Sequence, residues 1–125
     1  MKYLAGPSFF VFLVWASLFP KIGFAQAPYF EGKTLTIVVG TNPGGIYDTY
    51  ARLIGKYLTK HVAGRPSVVV HNRPGAGHII ATNFVYGVAK PDGQTLLAAN
   101  PNISMAQLSG QETAKFDVRR FLWIG

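Results

Sequence analysis

The sequence predicts an α/β fold, a parallel-sheet βαβαβ unit, on three observations. Two apolar, β-branched runs, Thr34-Leu35-Thr36-Ile37-Val38-Val39 and Ser67-Val68-Val69-Val70-His71, each pass into a glycine-rich turn and then into a segment of helical periodicity. The spacing between the two runs is that of a βαβ crossover. A third apolar run, Gln94 to Ala99, follows the second helical segment after the turn Lys90-Pro91-Asp92-Gly93.

The N-terminus reads as a targeting segment rather than part of that unit. Met1-Lys2 gives a short positive start, Phe9 to Phe19 is an uncharged apolar run, and small residues follow at Gly23, Ala25 and Ala27. This is the layout of a secretory signal peptide over residues 1–27, and the run is too short to span a bilayer. Ala25-Gln26-Ala27 fits the A-x-A cleavage pattern. Cutting after Ala27 leaves Pro28 first, a poor position for the peptidase, so cleavage after Ala25 competes. The mature protein, residues 28–125, is expected in the periplasm without a membrane anchor.

Removing residues 1–27 lowers Lys plus Arg from 12 to 10 against 5 acids, so the mature chain carries a net charge of +5. Charge of this size bears on solubility and the steering of anions, not on fold. The basic residues are scattered, with only Arg119-Arg120 adjacent, and no basic stripe interleaved with aromatics is present, which argues against nucleic acid as a partner. The chain has no cysteine. Disulfides, thiol catalysis and cysteine-ligated metal are therefore excluded.

Each element has its own warrant. Thr34 to Val39 carries apolar residues on both faces, as a strand buried on both sides does. Gly40 to Gly45 is the first turn. From Ile46 to about His61, Tyr47, Tyr50, Ala51, Ile54 and Leu58 recur at helical spacing, while Arg52, Lys56 and Lys60 mark a solvated face. After the second strand and the turn Arg73 to Gly77, Ile80, Ala81, Phe84, Val85 and Val88 predict a second helix. Pro91 presets φ and Gly93 allows positive φ, so 90–93 closes that helix with a turn. The third strand ends in Asn100-Pro101-Asn102. Ile103 to Leu108 predicts a short helix, and Phe121-Leu122-Trp123-Ile124 the start of a fourth strand, so the unit reads as a partial domain that continues beyond residue 125.

In a parallel sheet the strand-to-helix turns collect at one edge, where ligands of open α/β folds bind. Helix N-termini carry unpaired N–H groups and partial positive charge, and glycine lets an anion approach the backbone. Two such turns in register predict a site for a carboxylate or phosphate. Gly40 and Gly45 have P-loop spacing, but Ile46-Tyr47 stand where Lys and Ser/Thr are required. Gly75-Ala76-Gly77 opens a dinucleotide fingerprint whose third glycine is Ile80, and it follows the second strand rather than the first. No cofactor is expected. Asp48 is the acid nearest the proposed cleft, and stabilising the first helical turn suits it better than acting as general base. His78 opens the second helix beside the anion site. His61 and His71 share no metal-ligand spacing with it, so no metal site is expected. No serine lies in a G-x-S-x-G elbow.

The chain resembles the substrate-binding receptors of tripartite tricarboxylate transporters, the Bug-type periplasmic proteins. The motifs that carry the likeness are Lys33 to Val39, Pro43-Gly44-Gly45 with Asp48, Asn72-Arg73-Pro74-Gly75-Ala76-Gly77, Ala89 to Gly93, and Phe116-Asp117 followed by Phe121, Trp123, Ile124 and Gly125. Their order and spacing together make the resemblance specific. It implies the opening portion of domain 1 of a type II periplasmic binding protein, in which two domains close on a small carboxylate or related organic anion and present it to a membrane permease. Carried over by position, it implies ligand contacts at Pro43, Gly44, Gly45 and Asp48 and at Gly75, Ala76 and Gly77, with Asn100 in the third turn a weaker candidate. His78 joins this set through its place beside the second turn. The chain departs from the family pattern at Ile46-Tyr47 and at His78, where small residues are common.

The leading expectation is therefore an exported solute-binding receptor, or a fragment of one, and not an enzyme. The alternatives are a small exported α/β hydrolase or transferase using Asp48 and His78, and a truncated product that binds nothing.

Overall fold

The computed structural model describes residues 26–124. The expected signal peptide, apart from Gln26 and Ala27, lies outside the described residues. Three parallel strands, β1 (Thr34–Val39), β2 (Ser67–Asn72) and β3 (Thr95–Ala98), form one sheet in the order β2-β1-β3. Helix α1 (Ile46–His61) joins β1 to β2, and α2 (Ile79–Gly87), preceded by a 3₁₀ turn at Ala76–His78, joins β2 to β3. A short helix α3 (Asn102–Leu108) and a 3₁₀ turn at Val118–Arg120 follow. The α/β class and the βαβαβ order are as expected.

The chain crosses from β1 to β2 on one side and returns over β1 to β3 on the other. Crossovers in opposite directions, each right-handed as such connections nearly always are, place their helices on opposite faces. The packing agrees. Ile37 and Val39 face α1 through Ala51, with Tyr47, Leu58, Val68, Val70, Leu96 and Ala98 around them. Successive strand residues alternate faces, so Gly40 points to the other side, where it meets His78 at the start of α2. On that side Ile79, Ile103 and Phe116 form a second cluster. Central β1 is buried on both faces at Ile37, Val38 and Val39, as its composition requires.

Three expectations need correction. The buried side of α1 is Asp48, Ala51 and Gly55, with Tyr50 and Ile54 exposed. Gly55 lies so close to the sheet that an ideal Cβ there would come within 2.9 Å of Val68 Cγ1, so the helix packs on its small residues. In α2, Ile79 and Thr82 are buried beside Ala81, while Ile80 and Val88 face solvent, because the left-handed turn at 75–78 rotates the helix start. Phe121 to Ile124 is not a strand. Asp117 accepts from Arg119 N, which starts the 3₁₀ turn, and the chain then runs irregularly with Trp123 Nε1 bonded back to Val118 O.

Candidate functional site

The strand register builds the site. Val39 at the end of β1 is level with Asn72 of β2 and with Ala98 of β3, so the three following turns leave the sheet at one edge. Strand order reverses at β1, which puts the crevice of such a sheet at this edge.

The first turn, residues 40–45, is held by a buried carboxylate. Asp48 Oδ2 accepts from Gly44 N at 2.9 Å and from Arg52 Nε at 2.9 Å. Its Oδ1 accepts from Asn72 Nδ2 at 2.9 Å and pairs with Arg52 Nη2 at 2.9 Å. Four donors fill the acceptor positions of the carboxylate. Asp48 is thus spent on the protein itself and organises the turn. The filled carboxylate is poorly suited to general-base work, and its pairing with Arg52 offsets a charge that would otherwise repel an anion. Arg52, expected on a solvated face, is half of this ion pair. Its place four residues after Asp48 on a helix was the available signal.

Asn72 links the two turns. Besides Asp48, its Nδ2 donates to Thr41 O at 3.0 Å, and its Oδ1 accepts from Arg52 Nη2 at 3.3 Å. Arg73 N donates to Val39 O at 2.7 Å, tying the start of the second turn to β1. Only the topology brings Asn72 to Asp48, 24 residues earlier.

The second turn has an unusual backbone. Gly75, Ala76, Gly77 and His78 all have positive φ, at 132°, 46°, 59° and 77°. Gly75 and Gly77 take this region without penalty, whereas Ala76 and His78 carry strain of the kind found at ligand clamps and active sites. His78 is 5% exposed. Its ring lies on Gly40, where an ideal Cβ would fall 2.5 Å from both Cγ and Nδ1. Tyr47 of α1 packs edge-on against it, with ring centroids 4.7 Å apart. Tyr47 and His78, two of the three residues that depart from the pattern the resemblance implies, thus touch.

No side chain caps α1 or α2. Within the first turn, Gly44 N is bonded to Asp48 and Gly45 N to Asn42 O at 3.2 Å. Pro43 has no N–H, so the residues carried over by resemblance shape the turn, with Gly44 at φ 83°. The N–H groups of Ile46, Tyr47 and Asp48 in α1 and of Ala76 and Gly77 in the second turn bond to no described residue, and neither do those of Thr41 and Gly75. Pro43, Gly44, Ala76 and Gly77 are exposed, and Gly45 and Gly75 half-buried. Asn100 lies at the same edge, but its Oδ1 accepts from Asn102 N at 2.8 Å, and this bond starts α3. Ala76 and Gly77 also line a shallow groove of about 440 Å³ with Asn102, Met105 and Ala106 of α3.

His61 and His71 are exposed. Among the described residues no group of three His, Asp or Glu could hold a metal ion, and no helix is long and apolar enough to cross a membrane.

Three groups make stability fall with acid. Burial pushes the His78 imidazole below its ordinary 6.5, so the fold favours the neutral ring. The Arg52 guanidinium, then Gly44 N–H and Asn72, hold the Asp48 carboxyl well below the usual carboxylate range, and Arg119 does the same to Asp117. A depressed folded value stabilises above the unfolded one and is lost below it. Urea midpoints are therefore expected to drop in two stages, first below about pH 6.5 from His78 and then below about pH 4 from the aspartates. His78→Asn removes the first stage only; an unchanged midpoint from about pH 7 to about pH 5 in the starting protein would contradict this account.

The fold is a parallel α/β unit, consistent with part of a periplasmic binding protein domain. No family model matches the chain. The chain is 37% identical to a UPF0065 protein of Bordetella pertussis over 83 residues, 66% of this chain and 25% of that protein. It is 39% identical to a UPF0065 protein of Bordetella bronchiseptica over 85 residues, 67% of this chain and 24% of that protein. Protein BugT of Bordetella pertussis is 35% identical over 81 residues, 65% of this chain and 24% of the relative. Over the matched stretch the chain belongs to the family that includes the UPF0065 proteins and BugT. It spans about a quarter of the length of these relatives.

Proposed function

We propose that the chain supplies one ligand-binding wall of an exported, periplasmic solute-binding receptor, which captures a small carboxylate or related organic anion and passes it to a membrane permease. The observation that carries this reading is the pair of uncapped turns at one sheet edge. Unpaired N–H groups of Ile46 and Tyr47 stand in one turn and those of Ala76 and Gly77 in the other, and the two turns are locked together through Asn72. Such groups at helix starts favour an anion, and each hydrogen bond to a charged partner contributes about 1.5–3 kcal/mol. The basic balance of the mature chain favours the approach of anions. Membership of the Bug/UPF0065 family and the signal-peptide layout support export and solute capture. The closing domain and the permease are partners implied by that family reading. With Asp48 committed to Gly44, Arg52 and Asn72, the enzyme alternative loses its base.

Ile46→Pro tests this reading. Ile46 is the first residue of α1, and Gly45 before it is extended at φ −71°, ψ 163°, so proline fits there and deletes one N–H without breaking the helix. Calorimetry with succinate and citrate is expected to show binding by the starting protein and about tenfold weaker binding by the variant, at an unchanged unfolding midpoint. Equal affinity in the two proteins would remove the first turn from the site.

A further inference from the structure

We propose that the outer face of α1 is a reversible docking surface for an anionic lipid bilayer. The inference goes beyond the ligand reading and stands without it. A helix packed on a sheet normally turns polar residues to solvent. On α1 the side opposite Ala51 and Gly55 instead carries Ile46, Tyr50, Leu53 and Tyr57, spaced i, i+4, i+7, i+11, with Ile54 beside them. All five are exposed, at 67, 59, 49, 52 and 54% in that order. Single exposed apolar residues are ordinary. A continuous ridge along all 16 residues of a helix, about 24 Å long, marks a surface that meets something apolar.

Charge selects what that something is. Along one flank of the ridge run Arg52, Lys56 and Lys60, four residues apart and exposed. The helix has one acid, Asp48, which is buried and bound to Arg52, Gly44 and Asn72. The counterpart must therefore be apolar along its middle and negative beside it. A second copy of the chain does not meet this requirement. An antiparallel self-pair about a twofold axis sets both cationic rows on the same side, and a parallel one sets each row against the Ile54 flank; neither supplies an acid. The ridge is also convex, and the grooves beside α3 and beside β3 include no residue of α1. A protein partner would need a groove shaped to it, whereas a fluid bilayer conforms. Tyr50 and Tyr57 join an apolar ring to a polar hydroxyl, and Lys56 and Lys60 join an apolar stem to a charge, the residue types that suit a membrane–water boundary. A helix of this build lies in the plane of that boundary, and anionic headgroups attract its cations.

The test uses the full chain with vesicles of phosphatidylcholine, alone or mixed equally with phosphatidylglycerol, each carrying a nitroxide-labelled lipid. The run Phe9 to Phe19 is itself apolar, so contact is read by position, from the relaxation of side-chain methyl signals. On the mixed vesicles the methyls of Leu53 and Ile54 are expected to relax at least about threefold faster than those of Val88 and Leu108, which are exposed just beyond α2 and at the end of α3. Neutral vesicles are expected to lose that contrast, and so is Lys56→Glu with Lys60→Glu on the mixed ones. Both lysines are exposed, so the variant keeps its fold. Equal relaxation at the four positions, or a contrast that persists on neutral vesicles or in the charge-reversed variant, overturns the assignment. A dimer in sedimentation that Leu53→Glu dissolves, with no contrast on vesicles, overturns it in favour of a second copy.

Discussion

Gly40→Ala is expected to destabilise the fold by about 3 kcal/mol or more, at the upper end of what overpacking a core costs. The added methyl would fall 2.5 Å from His78 Cγ and Nδ1, and 2.7 Å from His78 Cα. The imidazole could swing away from such a clash, but the Cα belongs to the backbone, so the whole start of α2 must retreat. That retreat separates the two turns and exposes the cluster around Ile79. Urea unfolding measures the cost. A loss within about 0.5 kcal/mol, the size of an ordinary surface change, would mean that His78 does not sit on Gly40.

The second large effect is expected from Asn72→Ala, at about 1–3 kcal/mol, because its removal takes a donor from the buried Asp48 carboxylate and from the part-buried Thr41 carbonyl. Thr41 O and Asp48 Oδ1 both lose the Nδ2 donor, and Arg52 loses an acceptor. The distinguishing readout is local. Amide hydrogen exchange should accelerate in residues 41–48 and in the second turn together, since Asn72 is the link between them. Faster exchange in only one of the turns would show that they are held independently.

Much of the architecture was legible in the sequence because its signals are local. The β-branched run at Thr34–Val39 and the glycine turns follow from backbone sterics, and each strand and helix lies within a residue or two of where periodicity places it. Which face of a helix is buried was less legible. On α1 the large residues Tyr50 and Ile54 attract the hydrophobic reading, whereas close approach to the sheet selects Ala51 and Gly55. Phe121 to Ile124 has a strand's composition, but pairing is a tertiary event that composition alone does not specify.

The site was legible as an edge and less so as a set of atoms. The two turns were identified by their glycines, yet Gly44 and Gly45 turn out to shape the loop while the free N–H groups lie one and two residues further on. Asp48 was marked for its nearness to the cleft, and its structural role depends on Asn72, which no local pattern connects to it. His78 was marked by position; that it is buried, strained and short of a hydrogen-bond partner emerges only when Gly40 and Tyr47 are packed around it.

The central claim is that the two turns act as one anion site. An amide NMR titration with citrate tests it most directly, following Ile46 and Tyr47 in the first turn and Ala76 and Gly77 in the second. The account predicts that all four amides shift and saturate with a single affinity. Shifts confined to one turn, or two separate affinities, would contradict it.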